Sequence, residues 1–216
     1  MSQKEKFLNG EGDNWFRRNK LELKGNNLDS QFLISNLKNK GIEKFLEVGC
    51  SSGVKTHELA KGLLARGWGI DPSSLAILEA NKIIQQLYPS PQVEKILEFN
   101  IGTSDNLDFE DNFFDLIYFG FCLYLVDRDL LSKTILEADR CVKNGGFIGI
   151  LDFDPGLQYA NPYIHLPGLS SFKDDYPRYF QDLGYQFVAK EFYDKGKVGK
   201  SKNIDDQTSI TLLQKP

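Results

Sequence analysis

Two short stretches of the chain carry the residue types and spacing of a ligand site. Glu47-Val48-Gly49-Cys50-Ser51-Ser52-Gly53 ends one apolar run and opens a helical pattern; Gly69-Ile70-Asp71 closes the next run, with its carboxylate 22 positions after Gly49. Gly49 lets the backbone turn tightly against a ligand, Ser51 and Ser52 keep the turn small, and Gly53 enters the helix. A carboxylate closing the second strand can accept hydrogen bonds from both hydroxyls of a ribose. The turn alone also suits an ordinary strand-to-helix connection. Together with the acid and the strand order inferred below, it favours a nucleoside-bearing ligand. The dinucleotide fingerprint G-x-G-x-x-G is not met, because Ser51 stands where a glycine would approach a pyrophosphate, and no P-loop G-x-x-x-x-G-K-[ST] occurs at the turn.

Groups able to move a proton are few, since the chain has 2 histidines. His57, on the helix after the turn, reads as an ordinary surface histidine. His165 lies in Tyr159-Ala160-Asn161-Pro162-Tyr163-Ile164-His165-Leu166-Pro167-Gly168, a connection longer than usual of the kind that forms lids or binding segments. A substrate or catalytic role and a plain loop position both fit it. Tyr163 in the same loop is a candidate substrate contact. Asp152 and Asp154, at the end of an apolar run, fit substrate contact or a turn. Ser171-Phe172-Lys173-Asp174-Asp175-Tyr176 is expected to start a helix, with Lys173 and Arg178 available to an anionic substrate. Trp15 and Phe16, in a polar and aromatic N-terminal stretch, suit either core packing or a flap over the ligand. No His, Cys and carboxylate cluster has metal-ligand spacing, so metal-independent chemistry is expected.

These residues need a scaffold. Lys44–Val48, Trp68–Asp71, Val93–Phe99, Phe114–Phe119 and Phe147–Leu151 read as strands, alternating with helical patterns over 54–66, from Pro72 onward, and over 129–143. Asn144-Gly145-Gly146 is expected to stop the last of these helices. Alternation of this kind means right-handed crossovers and a mostly parallel sheet. Tyr185–Tyr193 and Thr208–Gln214 have only a lysine-rich loop between them and must pair antiparallel, because a parallel pair needs a crossover. The expected fold is α/β, a Rossmann-like, doubly wound, seven-stranded, mostly parallel sheet with a C-terminal antiparallel hairpin. A chain of 216 residues is read as one domain, with a helical cap over 1–40 and a substrate lid insertion over 155–183. A net charge of −4 argues against a dedicated nucleic-acid binder. No apolar run is long enough to span a membrane. Three cysteines at no ligand spacing, and no apolar N-terminal leader, suggest reduced thiols in a cytoplasm.

The motifs resemble those of the class I S-adenosylmethionine-dependent methyltransferases. Glu47–Gly53 is similar to their motif I and Gly69-Ile70-Asp71 to their second-strand acidic motif. Gly102-Thr103-Ser104-Asp105-Asn106-Leu107 resembles the loop after the third strand. Phe114-Asp115-Leu116-Ile117, followed by Leu123-Tyr124, resembles the fourth-strand motif. Leu136–Gly146 is similar to the helix and turn before the fifth strand. The likeness covers about residues 40–155. It implies S-adenosyl-L-methionine as cofactor, held by Glu47, Gly49, Cys50, Ser51, Gly53 and Asp71. Thr103 and Ser104 would contact adenine and Phe119 would lie near the sulfonium; Trp15, ahead of that stretch, would join the cofactor contacts as a flap, with core packing the alternative. Ser51 replaces a usual glycine, and Tyr124 stands where many members have histidine, which makes Tyr124 a catalytic candidate beside His165.

The N-terminal stretch and Phe119-Gly120-Phe121-Cys122-Leu123-Tyr124-Leu125 also resemble a subgroup associated with bacterial surface-polysaccharide modification. The implied function is methyl transfer to a small polar acceptor: a sugar, phosphosugar or phosphoramidate precursor of a surface glycan. Tyr163, Lys173, Arg178 and Asp152 would bind it. The alternatives are a lipid or quinone O/C-methyltransferase and a catalytically silent cofactor-binding partner protein. A monomer or homodimer is expected.

Overall fold

The computed structural model describes residues 1–20, 27–87, 96–194 and 197–216. Five strands run parallel: β1 (Lys44–Val48), β2 (Arg66–Asp71), β3 (Leu97–Ile101), β4 (Phe114–Gly120) and β5 (Val142–Phe153). Three more complete the sheet: β8 (Gln186–Asp194), the two-residue β9 (Lys197–Val198) and β10 (Gln207–Gln214). The order is β3-β2-β1-β4-β5-β10-β8-β9, and β10 lies antiparallel to both β5 and β8. The seven expected strands are therefore present, extended by β9. Residues 155–183 carry a separate hairpin, β6 (Tyr159–Pro162) with β7 (Ser170–Lys173).

β1 is buried on both faces, because strand alternation sends its side chains to two cores. Phe45 faces one core with Leu33, Leu37, Leu59 and Leu63, while Leu46 and Val48 face another with Ile117, Leu131, Ile135 and Phe180. The first core is covered by α3 (Leu28–Leu37), α4 (Val54–Leu63) and α5 (Ser74–Leu87); the second by α6 (Leu131–Cys141) and α7 (Tyr176–Gln181). Ahead of α3 lie α1 (Gln3–Lys6), a π-turn over Phe7–Glu11 and α2 (Gly12–Asn19).

Several boundaries differ from the sequence reading. α4 stops at Leu63, because Leu64 takes a left-handed C-cap at φ 57°. α6 stops at Cys141, three residues before Asn144. Val142 is already extended, and Gly145, at φ 76°, shapes a turn inside β5 that is tied to Lys215. Ser171–Lys173 is strand, not helix; α7 begins at Tyr176, with Pro177 in its first turn where no N–H is needed. The third expected strand starts within residues 93–95, which lie outside the described residues.

Candidate functional site

The turn after β1 is built by left-handed backbone. Gly49, Ser51 and Gly53 have φ of 79°, 48° and 73°. A Cβ on Gly53 would enter the Phe99 ring, and one on Gly49 would lie 2.9 Å from Cys122 Cβ. Ser51 thus adopts a conformation that glycine takes more easily, which accounts for the glycine expected there. The Gly49 and Cys50 amides donate to the Ile70 carbonyl at 2.9 and 3.1 Å. Asp71 Oδ2 accepts from the Ser51 amide at 2.9 Å, and Oδ1 from the Ser73 amide at 2.8 Å. The carboxylate therefore clamps the turn, and each oxygen keeps a lone pair for a ligand. Burial pushes its pKa up to about 6, against the pull of those two amides.

Two chambers open at the carboxyl ends of the strands and meet at Trp15, Gly49, Gly120 and Phe121. The inner chamber runs between the β2 and β3 ends, bordered by Asp71, Gly102, Thr103, Ser104 and apolar Val48, Ile70 and Leu130. The N-terminal cap roofs it. Lys4 pairs with Asp105 at 2.7 Å, and Asp13 accepts from Ser73 Oγ at 2.7 Å and from the Leu75 amide at 3.0 Å, capping α5. Trp15 Nε1 donates to Tyr124 Oη at 3.2 Å. Ser104 shares a hydrogen bond with Thr134 at 3.1 Å.

The outer chamber lies over β1, β4 and β5. Glu47, Cys50, Ser51, Ser52 and Lys55 border it on one side, and Phe153, Tyr193, Asp206 and Thr208 on the other. Glu47 is buried and accepts from Thr56 Oγ1; desolvation pushes its pKa up to about 8. Ser51 Oγ is buried with no hydrogen-bond partner. Asp29 from α3 accepts from both Lys55 Nζ and Tyr118 Oη below this chamber. Sequence reading missed Asp29, Lys55 and Asp206. Lys55 is two residues past Gly53 and could have been suspected; nothing local marks the other two.

Other nominated residues lie elsewhere. Phe119 is fully buried against Phe180, with ring centroids 6.1 Å apart, because the pleat turns it to the α7 face; its neighbours Gly120 and Phe121 border the chambers instead. His165 is exposed at the β6–β7 turn, edge-on to Tyr163, and borders neither chamber. Tyr124 is packed among Phe121 and Phe153, and burial raises its phenol well above 10, unsuited to a base. Tyr163 donates to Glu11 at 2.9 Å and accepts from Arg18, fastening the hairpin to the cap. Lys173 sits over the Phe153 ring and donates to the Asp205 carbonyl at 3.2 Å; burial lowers its pKa to about 8. Arg178 is half-exposed on α7, paired with Asp174 at 3.4 Å. Asp152 is buried, accepting from the Phe153 and Tyr124 amides, with its pKa pushed up to about 7 by desolvation. Asp154 bonds Ser209 Oγ at 2.7 Å and cross-links strands.

Residues 46–150 match the family model described as "Methyltransferase domain". No curated protein sequence matches the chain. Among solved structures, one similar chain is in the complex between the Haloferax volcanii Trm112 methyltransferase activator and the putative methyltransferase. It is 17% identical with a TM-score of 0.70, covering 100% of this chain and 98% of that one. The N-methyltransferase NodS from Bradyrhizobium japonicum WM9, in complex with S-adenosyl-L-homocysteine, is 16% identical with a TM-score of 0.60, covering 87% and 85%. Geranyl diphosphate C-methyltransferase from Streptomyces coelicolor A3(2) is 14% identical with a TM-score of 0.65, covering 88% and 78%. The chain carries a methyltransferase domain in a Rossmann-like methyltransferase fold. Methyl transfer with S-adenosylmethionine as cofactor is the activity that these matches support.

The residues present suit that cofactor. The inner chamber is largely apolar; of its three aspartates, Asp105 is paired with Lys4 and Asp127 accepts from the Gln3 and Lys4 amides, while Asp71 keeps lone pairs for a ligand, and the outer chamber begins with an unpartnered buried hydroxyl at Ser51. When bound, the cofactor supplies an electrophilic methyl group on a sulfonium. With ribose hydroxyls expected to donate to an ionised Asp71, nucleoside affinity should be flat above about pH 7. It should fall about tenfold per unit as the pH drops below the Asp71 pKa of about 6. Calorimetric titration with S-adenosylhomocysteine from pH 5 to 8 checks this, with Asp71→Asn expected to abolish the acid limb.

Proposed function

We propose that this enzyme methylates a hydroxyl of a small polar acceptor, a sugar-based precursor of a surface glycan, held in the outer chamber. The observation that supports this reading is the chamber's mixed lining. Phe121, Phe153 and Tyr193 offer ring faces to the C–H face of a sugar, while Asn19, Ser52, Asp206 and Thr208 offer hydrogen-bonding groups to its hydroxyls. Phosphosugar and phosphoramidate acceptors are less well served, since Lys173 and Arg178 are engaged by Asp205 and Asp174. A second reading, a lipid acceptor, draws on the same aromatic side chains and on Leu28 and Leu151.

Methyl transfer to an alcohol needs alignment and a base, the latter contributing about 10²–10⁴-fold. Asp206 is the base we assign, because its turn (Ile204–Asp206) brings it to the chamber rim while His165 stays outside. We read residues 155–183 as the lid. Tyr159 and Asn161 of β6 donate to Asp205 at 2.7 and 2.8 Å, so this hairpin also positions the Asp206 turn. We place the enzyme in the cytoplasm, in accord with Cys50, Cys122 and Cys141 being free thiols. A monomer or homodimer needing no activator is our working state, and turnover by the isolated chain tests it.

Transfer of a labelled methyl group to nucleotide sugars, phosphosugars and quinone analogues tests the acceptor; transfer confined to quinone analogues would refute the sugar reading. With the accepted substrate, Asp206→Asn should lower kcat about 10²-fold with KM little changed, and His165→Ala should leave both near wild type. The reverse pattern would return the base to His165.

A further inference from the structure

We infer that Asp29 and Tyr118 are positioning residues that hold Lys55 as the charged contact for the amino-acid end of the cofactor. This rests on the cofactor reading above. Asp29 lies on α3, Lys55 in the first turn of α4 and Tyr118 on β4, so three separate elements converge on one carboxylate. Asp29 is 2% exposed and Tyr118 0%, and both Asp29 and Lys55 border the outer chamber. Asp29 stands outside residues 46–150, beyond the segment that matches the domain model.

An ion pair with one partner buried, as Asp29 is, and the other, Lys55, half-buried is an expensive way to stabilise a fold, because desolvation offsets much of the attraction. Here the pair sits at a chamber wall, and a neutral tyrosine hydroxyl donates to the same Asp29 oxygen, Oδ2, that holds the lysine. That arrangement restricts Asp29, and through it the lysine, to one geometry. Around Lys55 the wall is also prepared for an anion. α4 begins at Gly53 with no side-chain cap, so its first amides lack that partner, and Ser51 Oγ is buried and unpartnered. On the same wall, Asp29 and Glu47 supply carboxyl groups. A wall with a cation, open amides and a hydroxyl beside carboxyl groups suits a zwitterion, and the amino-acid end of the cofactor is one. The adenosine end belongs to the inner chamber, whose lining contains neither Asp29 nor Lys55.

Two nucleosides separate the ends. S-adenosylhomocysteine carries the amino-acid group; 5′-methylthioadenosine keeps the adenosine and thioether without it. In calorimetric titrations Lys55→Met and Asp29→Asn should each weaken S-adenosylhomocysteine tenfold or more while leaving methylthioadenosine within twofold of wild type. Tyr118→Phe, which removes only the hydroxyl, should weaken S-adenosylhomocysteine severalfold and again spare methylthioadenosine. It also serves if Asp29→Asn fails to fold, with thermal unfolding as the check. Parallel weakening of both nucleosides, or no weakening of either, overturns the assignment. A wild-type chain that binds neither nucleoside overturns the cofactor reading, and this inference with it.

Discussion

Asp71→Ala is expected to weaken S-adenosylhomocysteine binding by about 100-fold or more. Two hydrogen bonds from ribose hydroxyls to a charged carboxylate contribute about 1.5–3 kcal/mol each, and about 1.4 kcal/mol is a factor of ten. The structure adds a second loss. Asp71 also accepts from the Ser51 and Ser73 amides, so alanine unties the turn after β1 from the end of β2. Asp71→Asn keeps the size and one carbonyl acceptor, and should fall between alanine and wild type. Calorimetric titration of folded variants measures both; wild-type affinity in Asp71→Ala would remove this residue from the cofactor site.

Gly49→Val should be more damaging, because it combines strain in the chain with obstruction of the ligand. At φ 79° a β-branched residue is strongly disfavoured, and the new Cβ would lie 2.9 Å from Cys122 Cβ and 3.3 Å from the Gly120 carbonyl oxygen. The left-handed conformation costs about 1–2 kcal/mol and overpacking about 1–3 kcal/mol. At about 2–4 °C per kcal/mol for a domain of this size, the unfolding midpoint should drop by roughly 10 °C. Gly49 borders both chambers, so the branch would also block their junction and abolish nucleoside binding. Gly49→Ala, without the branch, should lose less of both. A valine variant with unchanged unfolding temperature and affinity would show that the turn is free to relax.

What could be read from residue order was what short-range physics controls. The apolar runs of β1, β2 and β4, the Gly49–Gly53 turn and the Asp71 carboxylate lie within a few residues of the features that define them. Their backbone needs and burial follow from local pattern. The hairpin of β8 and β10 was legible for a similar reason, since two strands without a crossover can only pair antiparallel. Matters that depend on which face a side chain takes, or on distant segments meeting, were settled only by the tertiary structure. Phe119 and Phe121 are two residues apart, yet Phe119 is sealed against Phe180 while Phe121, at φ 60° just past β4, turns into the chambers. His165 had suitable chemistry for a base, but the β6–β7 turn carries it to the surface. Nothing in the residues around Asp29 marks it as part of a site. It becomes part of the site because α3 packs beside α4 and brings it to a lysine 26 residues away and a tyrosine 89 residues away. Sequence spacing encodes neighbours along the chain; the charge of the outer chamber is set by neighbours across the sheet.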